Sequence, residues 1–198
     1  MKTAQQIATI FCIAALSGCA TEISLIGPDS LTGWKTINGG EWEVEDGVFY
    51  GTKDADIDKH CLLISEREFG DFRLRLEYKA VKGNSGFYFR LAPAENALGF
   101  KGYHAEIDSN GTNAGGLYDV AVEWLEKPNE KLVAKAFKPG NWNTMTIKAV
   151  GRDITVWLNG HQMSSINNDR SERGRLGVQL HAGEDTQIKL KNIRITEL

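Results

Sequence analysis

Apolar and polar residues alternate one by one through most of this chain, which is the period of a half-buried β-strand and not of a helix. Phe72, Leu74, Leu76 and Tyr78 alternate with Arg73, Arg75, Glu77 and Lys79; Phe87, Phe89 and Leu91 alternate with Tyr88 and Arg90. Tyr103, Ala105 and Ile107 alternate with His104, Glu106 and Asp108, and Met145, Ile147 and Ala149 with Thr146 and Lys148. Val178 and Leu180 alternate with Gln179 and His181, and the last stretch carries Leu190, Ile193 and Ile195 among basic residues. Asp46-Gly47 and Asn159-Gly160 are two-residue hairpin turns, because aspartate, asparagine and glycine tolerate the positive φ such turns need. Only residues 129–137, behind Pro128, read as a short helix. So many short strands between Gly-rich turns predict an all-β fold, a two-sheet antiparallel β-sandwich forming one domain.

Composition narrows the function more than the fold. The chain has 198 residues with 21 glycines and only 4 prolines, and a net charge of −3 from 23 basic and 26 acidic side chains. That excludes a disordered or collagen-like protein, and it gives nucleic acid no electrostatic footing as a partner. Residues 1–18 read as a lipoprotein signal peptide: Lys2 supplies a positive start, an apolar stretch runs through Leu16, and Leu16-Ser17-Gly18-Cys19 looks like a bacterial lipobox. Cys19 would then carry lipid, residues 19–30 would be the lipidated N-terminus and spacer, and residues 31–198 the folded domain. A plain signal peptide with an incidental cysteine is the alternative. The expected location is the bacterial cell envelope, with the membrane engaged by the lipid anchor only; Ala20-Thr21 lacks the aspartate associated with inner-membrane retention, which favours the outer membrane and periplasm. Cys61, the thiol left in the body, precedes Leu62-Leu63-Ile64 and is expected as a buried small hydrophobe.

In a strand the apolar set fixes where the polar set points. Strands at 72–78, 86–91, 103–108 and 177–181 present Glu77; Tyr88 and Arg90; His104, Glu106 and Asp108; and Gln179 and His181. An ordinary solvated face would be rich in Lys, Thr and Ser. If these four strands are neighbours, their ionisable groups gather in one ligand-binding hollow. Gly83-Asn84-Ser85-Gly86 and Asn113-Ala114-Gly115-Gly116 flank two of the strands, and glycine there lets a ligand approach the backbone. Tyr118 and Trp124, beside the second cluster, are candidates to stack on a ligand, whereas Trp34, Trp42, Trp142 and Trp157 are expected to pack. His104, Glu106 and Asp108 with His181 also offer mixed N and O ligands, so a divalent metal is the cofactor to weigh against simple hydrogen bonding. Asp54-x-Asp56-x-Asp58 lacks the glycine and closing glutamate of a calcium loop and reads as a solvated acidic loop.

Several segments in order carry a resemblance: Trp42-Glu43-Val44-Glu45-Asp46-Gly47, Gly83 to Arg90, Gly115-Gly116-Leu117-Tyr118, Pro139-Gly140-Asn141-Trp142-Asn143, Val156-Trp157-Leu158-Asn159-Gly160 and Gly177-Val178-Gln179-Leu180-His181. Together they resemble the 3-keto-disaccharide hydrolase family, which implies a concanavalin A-like jelly roll and action on glycosides oxidised at C3. Where many members read Tyr-Glu-x-Gln-Ile, this chain reads Tyr103-His104-Ala105-Glu106-Ile107-Asp108, the pattern of a subgroup.

A ketone at C3 acidifies the C2 proton, so C2 deprotonation followed by elimination or hydration cleaves the glycoside without an oxocarbenium ion. Such a site needs a base over C2, a group that polarises the C3 oxygen, and an acid for the leaving group. Glu106 is the first candidate for the base, His181 for base or acid, and Arg90 for the electrophile. Asp108, His104, Tyr88, Tyr118, Gln179, Glu77, Asn84 and Trp124 are candidates for holding a carbohydrate substrate. Two other readings stand: a non-catalytic, lectin-like carbohydrate-binding lipoprotein, and a glycoside hydrolase using Glu106 and Asp108 as paired carboxylates. The pattern does not bear on oligomeric state.

Overall fold

The structure is a computed structural model that describes residues 21–120 and 122–198. The signal peptide and Cys19 lie outside the described residues. Two antiparallel sheets pack face to face. The first runs in the order β10 (Glu123–Glu126), β9 (Leu117–Asp119), β8 (Phe100–Asp108), β7 (Asn84–Pro93), β14 (Gly174–Leu180), β5 (Cys61–Phe69) and β2 (Trp34–Ile37). The second runs β13 (His161–Asn167), β12 (Asp153–Leu158), β11 (Asn143–Val150), β6 (Phe72–Lys82), β15 (Thr186–Glu197), β4 (Val48–Lys53) and β3 (Glu41–Glu45), with β1 (Glu22–Ser24) also paired to β15. The expected β-sandwich is therefore present. Both hairpin turns form with positive φ, 50° at Asp46 and 72° at Gly47, 49° at Asn159 and 84° at Gly160. The one helix among the described residues, α1 (Glu130–Ala136), starts where Asn129 caps it by accepting from the backbone N–H of Lys131.

The inner faces carry the predicted alternation. Phe72, Leu74, Leu76 and Tyr78 meet Phe87, Phe89, Tyr103, Ala105, Ile107 and Val178 in one continuous core, all fully buried. Cys61 joins it, as its apolar surroundings predict. A second apolar cluster lies on the other face of the first sheet, where Leu62, Ile64, Tyr88, Leu91 and Val120 are covered by Leu98 and Phe100. That cluster is why β5 reads as an unbroken apolar run: both of its faces are covered.

Three sequence expectations need correction. Residues 22–26 are not a free spacer: Ile23 pairs with Ile195, Leu25 N–H donates to the Ile193 carbonyl, and Ile23, Leu25 and Ile26 pack against the core. Their apolar side chains hold this segment on the domain, which begins at β1. Glu77 belongs to β6 in the second sheet, so only three of the four strands expected to be neighbours share a sheet. Its carboxylate meets Asn192 and, within ion-pair distance, Arg75 and Lys191.

Arg90 is the third. Register in β7 slips by one residue between Phe89 and Ala92 against β8, and likewise against β14. Arg90, with φ of 52°, is the extra residue of this bulge. The bulge reverses the alternation beyond it, so Leu91 takes the Tyr88 face and Arg90 turns away. A Cβ at Gly174 would stand 2.3 Å from the Leu91 carbonyl oxygen, so the neighbouring strand carries glycine where the bulged backbone crowds it. The Arg90 guanidinium is fully buried and donates to the carbonyls of Gly70, Gly151 and Ser171 and to the Asp71 carboxylate. It ties three loops together and does not reach the ligand face. Arg90→Leu is expected to leave those carbonyls unpaired and to lower the unfolding free energy by about 2–3 kcal/mol; urea denaturation followed by tryptophan fluorescence measures this, and an unchanged midpoint would show the clamp to be idle.

Candidate active site

On the outer face of the first sheet, cross-strand register lines up Gly86 with Glu106, Tyr88 with His104, His104 with Tyr118, and Gln179 with Gly86. Apart from Gly86, which the His104 ring covers, these residues face a cavity of about 600 Å³, within the usual range for small-ligand sites. Asn84, Tyr88, His104, Glu106, Gln179 and His181 line it, with Tyr118 and Trp124 on one side. The pleat thus brings together most of the sequence-predicted site residues. A second, more open cavity of about 760 Å³ adjoins it through the shared Asn84 and His181; Asp108 lines that one with Lys82, Glu184 and Asp185.

Glu106 sits on the floor, only 5% exposed. Its Oε1 accepts a short hydrogen bond from the Asn84 amide. Burial drives its carboxyl up to about 8; the Asn84 bond opposes the rise, and Asp108 and Glu184 add to it. His104 is equally enclosed. Its ring lies over Gly86, where a Cβ would stand 1.5 Å from Nε2, so only glycine leaves room for it. Gly86 therefore admits a side chain of the chain itself, and Gly116 does the same for Trp124, in place of the close ligand approach expected at these clusters. Nε2 of His104 faces the Ser85 carbonyl at 3.3 Å, which only accepts, so Nε2 carries the proton. Burial pulls the His104 imidazole down to about 3, with the Ser85 bond opposing. His104 and Glu106 stand 3.7 Å apart, an ion-pair distance, yet burial disfavours charge on both the imidazole and the carboxyl, so at neutral pH the contact is between neutral groups.

His181 stands at the rim with the opposite proton arrangement. Its Nδ1 is 2.8 Å from the Ala182 carbonyl and 3.1 Å from Glu184, both acceptors, so Nδ1–H donates and the Nε2 lone pair is free. Tyr88 packs edge-on against His104 at 4.7 Å between centroids, and Tyr118 edge-on against Trp124 at 5.3 Å. Burial first, then Glu106, holds the Tyr88 hydroxyl far above its ordinary value, so it stays a donor.

One site residue escapes the strand pattern. His60, in the loop before β5, lines the cavity and stacks edge-on with His181 at 4.7 Å. Burial, then His181 and Lys53, hold its imidazole below the ordinary range. The available signal was register: Leu62 pairs with Gln179, which puts the residue two places earlier beside His181. The proposed metal ligands do not assemble. Asp108 turns its Oδ1 to the Asn110 N–H and His181 belongs to the rim, so these residues do not form a chelating set, and among the described residues no three His, Cys, Asp or Glu side chains do. Of the two carboxylates expected as a pair, Glu106 lines the first cavity and Asp108 the adjoining one.

The sign of the Glu106 shift sets a pH dependence. A carboxyl raised from 4.5 to about 8 on folding favours the folded state below the unfolded value, and that stability is lost as pH rises through 8. Each unit is about 1.4 kcal/mol. Glu106→Gln cannot ionise and keeps the Asn84 bond. Its melting temperature relative to the parent is expected to climb between pH 5 and 9, while His104, depressed in both proteins, cancels from the comparison; a constant difference across that range would mean that Glu106 ionises freely.

Residues 21–196 match the family described as the 3-keto-alpha-glucoside-1,2-lyase-like domain. Among curated proteins there is no match. Solved structures share the fold. A provisionally assigned glycosyl hydrolase from Parabacteroides distasonis is 21% identical, with a TM-score of 0.69 over 90% of this chain and 100% of that one. The carbohydrate-binding module CBM66 from Bacillus subtilis is 15% identical, TM-score 0.59, over 83% and 96%. A protein of unknown function with a galectin-like fold from Bacillus subtilis is 11% identical, TM-score 0.66, over 91% and 96%. At these identities the structures establish the jelly-roll architecture, and the family match, spanning nearly the whole chain, establishes that this protein belongs to the 3-keto-alpha-glucoside-1,2-lyase-like domain family.

Proposed function

We propose that this protein is a lipid-anchored enzyme of the bacterial cell envelope that cleaves glycosides oxidised at C3 by eliminating the C1 substituent. The observation that carries the reading is a buried Glu106, met by an amide and with its carboxyl pushed up to about 8 by burial, facing the same cavity as a histidine whose Nε2 lone pair is open. These are an acid and a base held in one hollow. His181, oriented by Glu184 and the Ala182 carbonyl, takes the C2 proton. The bonding pair enters the C2–C3 bond and charge develops on the C3 oxygen. When the carbonyl re-forms, C1=C2 forms and the C1–O bond breaks, its electron pair leaving with the glycosidic oxygen. Glu106 supplies that oxygen with a proton. This allocation assigns the acid to Glu106, the group expected from the sequence to be the base, because burial holds its proton in place at neutral pH. Asn84 keeps the carboxyl in position, and Tyr118 and Trp124 offer faces to the sugar rings. With Cys19 lipidated, only Ala20 and Thr21 would separate the anchor from β1, so the domain would sit close to the bilayer.

Incubation with a 3-keto-disaccharide is expected to release one free sugar and a 2-hydroxy-enone that absorbs in the ultraviolet. Glu106→Gln and His181→Ala should each lower kcat by about a hundredfold or more. The rate should fall as pH rises through about 8, where Glu106 loses its proton; a rate that rises there would make Glu106 the base. Binding of unoxidised glycan with no turnover of the keto-sugar would replace the enzyme by a lectin-like protein.

A further inference from the structure

With Arg90 outside the cavity, the developing charge on the C3 oxygen lacks the electrophile expected from the sequence, and the loop before β5 offers another. His60 Nδ1 lies 3.0 Å from the backbone nitrogen of Ala182 and 3.0 Å from Nε2 of Gln179. A backbone N–H can only donate, so Nδ1 accepts and the neutral ring carries its proton on Nε2. The same contact fixes the Gln179 amide. Its NH2 must face Nδ1, which leaves Oε1 as the remaining polar atom. That oxygen is buried and, among the described residues, has no hydrogen-bond partner. Gln179 itself is 2% exposed and lines the cavity. Buried side-chain oxygens are nearly always satisfied, and an orphan on a cavity-lining residue leaves an acceptor for a donor from outside the chain.

We propose that His60 and Gln179 form a donor–acceptor pair that reads an α-hydroxy ketone: His60 Nε2–H donates to the keto oxygen, and Gln179 Oε1 accepts from a hydroxyl on an adjacent carbon. The identity of the ligand rests on the 3-keto reading above; the state of the ring does not. His60 is then a catalytic residue. As C2 loses its proton, electron density moves onto the C3 oxygen, and a fixed neutral donor stabilises it without giving up its own proton. The neutral keto oxygen accepts from Nε2–H only weakly and the enolate oxygen strongly, so the gain appears in the transition state and falls on kcat, whereas Gln179, which meets a hydroxyl present throughout, acts on KM. Gln179 also positions the ring through Nδ1, a duty it shares with the Ala182 N–H.

Two measurements on the full-length protein test this. In ¹⁵N-histidine NMR at pH 7, His60 is expected to show an unprotonated Nδ1 and a protonated Nε2; a ring protonated on Nδ1, or on both nitrogens, overturns the proposal without any substrate. In kinetics with an aryl 3-keto-glucoside, His60→Ala should lower kcat by about a hundredfold with KM moved far less. His60→Gln, whose amide restores a donor near the Nε2 position, should recover about tenfold of that loss. Gln179→Leu should raise KM about tenfold. Turnover by the parent protein with His60→Ala and Gln179→Leu unchanged overturns the pair and leaves the 3-keto reading standing, as does an equal loss in His60→Gln and His60→Ala. A parent protein that neither binds nor turns over the keto-sugar overturns both.

Discussion

Glu106 is buried on a sheet face where the group that meets it is an amide and not a cation. The neutral state of the cavity floor depends on that choice. An arginine or lysine in Asn84's place would hold the carboxyl ionised, as a low-energy ion pair with nothing to give. The amide instead leaves the charged form expensive, and the proton stays. His104 beside it obeys the same constraint from the other side, since burial removes the proton from an imidazole as surely as it retains one on a carboxyl. The floor is therefore made of neutral groups with directional donors and acceptors. Such a floor is suited to a neutral sugar whose reacting bond develops charge only on the way to the transition state.

The second determinant is a single inserted residue. Without the bulge at Arg90, the pleat would carry the guanidinium onto the Tyr88 face, where its charge would lie on the same surface as Glu106. The insertion sends Arg90 to bind three loop carbonyls and puts Leu91 in its place, against Leu62, Ile64 and Val120. One end of the ligand face thereby becomes apolar and the other polar.

How far this was legible in the sequence follows from what period two can encode. Alternation is local, so it located the strands, the core residues and the outward set Tyr88, His104, Glu106 and Gln179. It could not place β6, because sheet membership depends on which distant strand supplies the hydrogen bonds; Glu77 was misplaced for that reason alone. It could not show the Arg90 bulge either, since an inserted residue looks like one more alternating position until its neighbours' register is seen. His60 lies in a loop, outside any period, and enters the site because β5 pairs with β14. The segment from Ile23 to Ile26 read as a tether because its partner strand, β15, lies at the far end of the chain.

The histidines show why geometry adds what composition cannot. His60, His104 and His181 are identical in sequence, yet fixed backbone partners give them different proton arrangements. The Ala182 N–H makes Nδ1 of His60 an acceptor, the Ser85 carbonyl makes Nε2 of His104 a donor, and the Ala182 carbonyl makes Nδ1 of His181 a donor. A single residue, Ala182, thus offers its N–H to one ring and its C=O to the next, and sets two adjacent imidazoles to opposite tautomers. A donor and a base can then stand side by side at neutral pH without a proton passing between them. Deprotonation of carbon beside a carbonyl needs that pairing: one group to receive the proton and another to hold the oxygen as charge arrives.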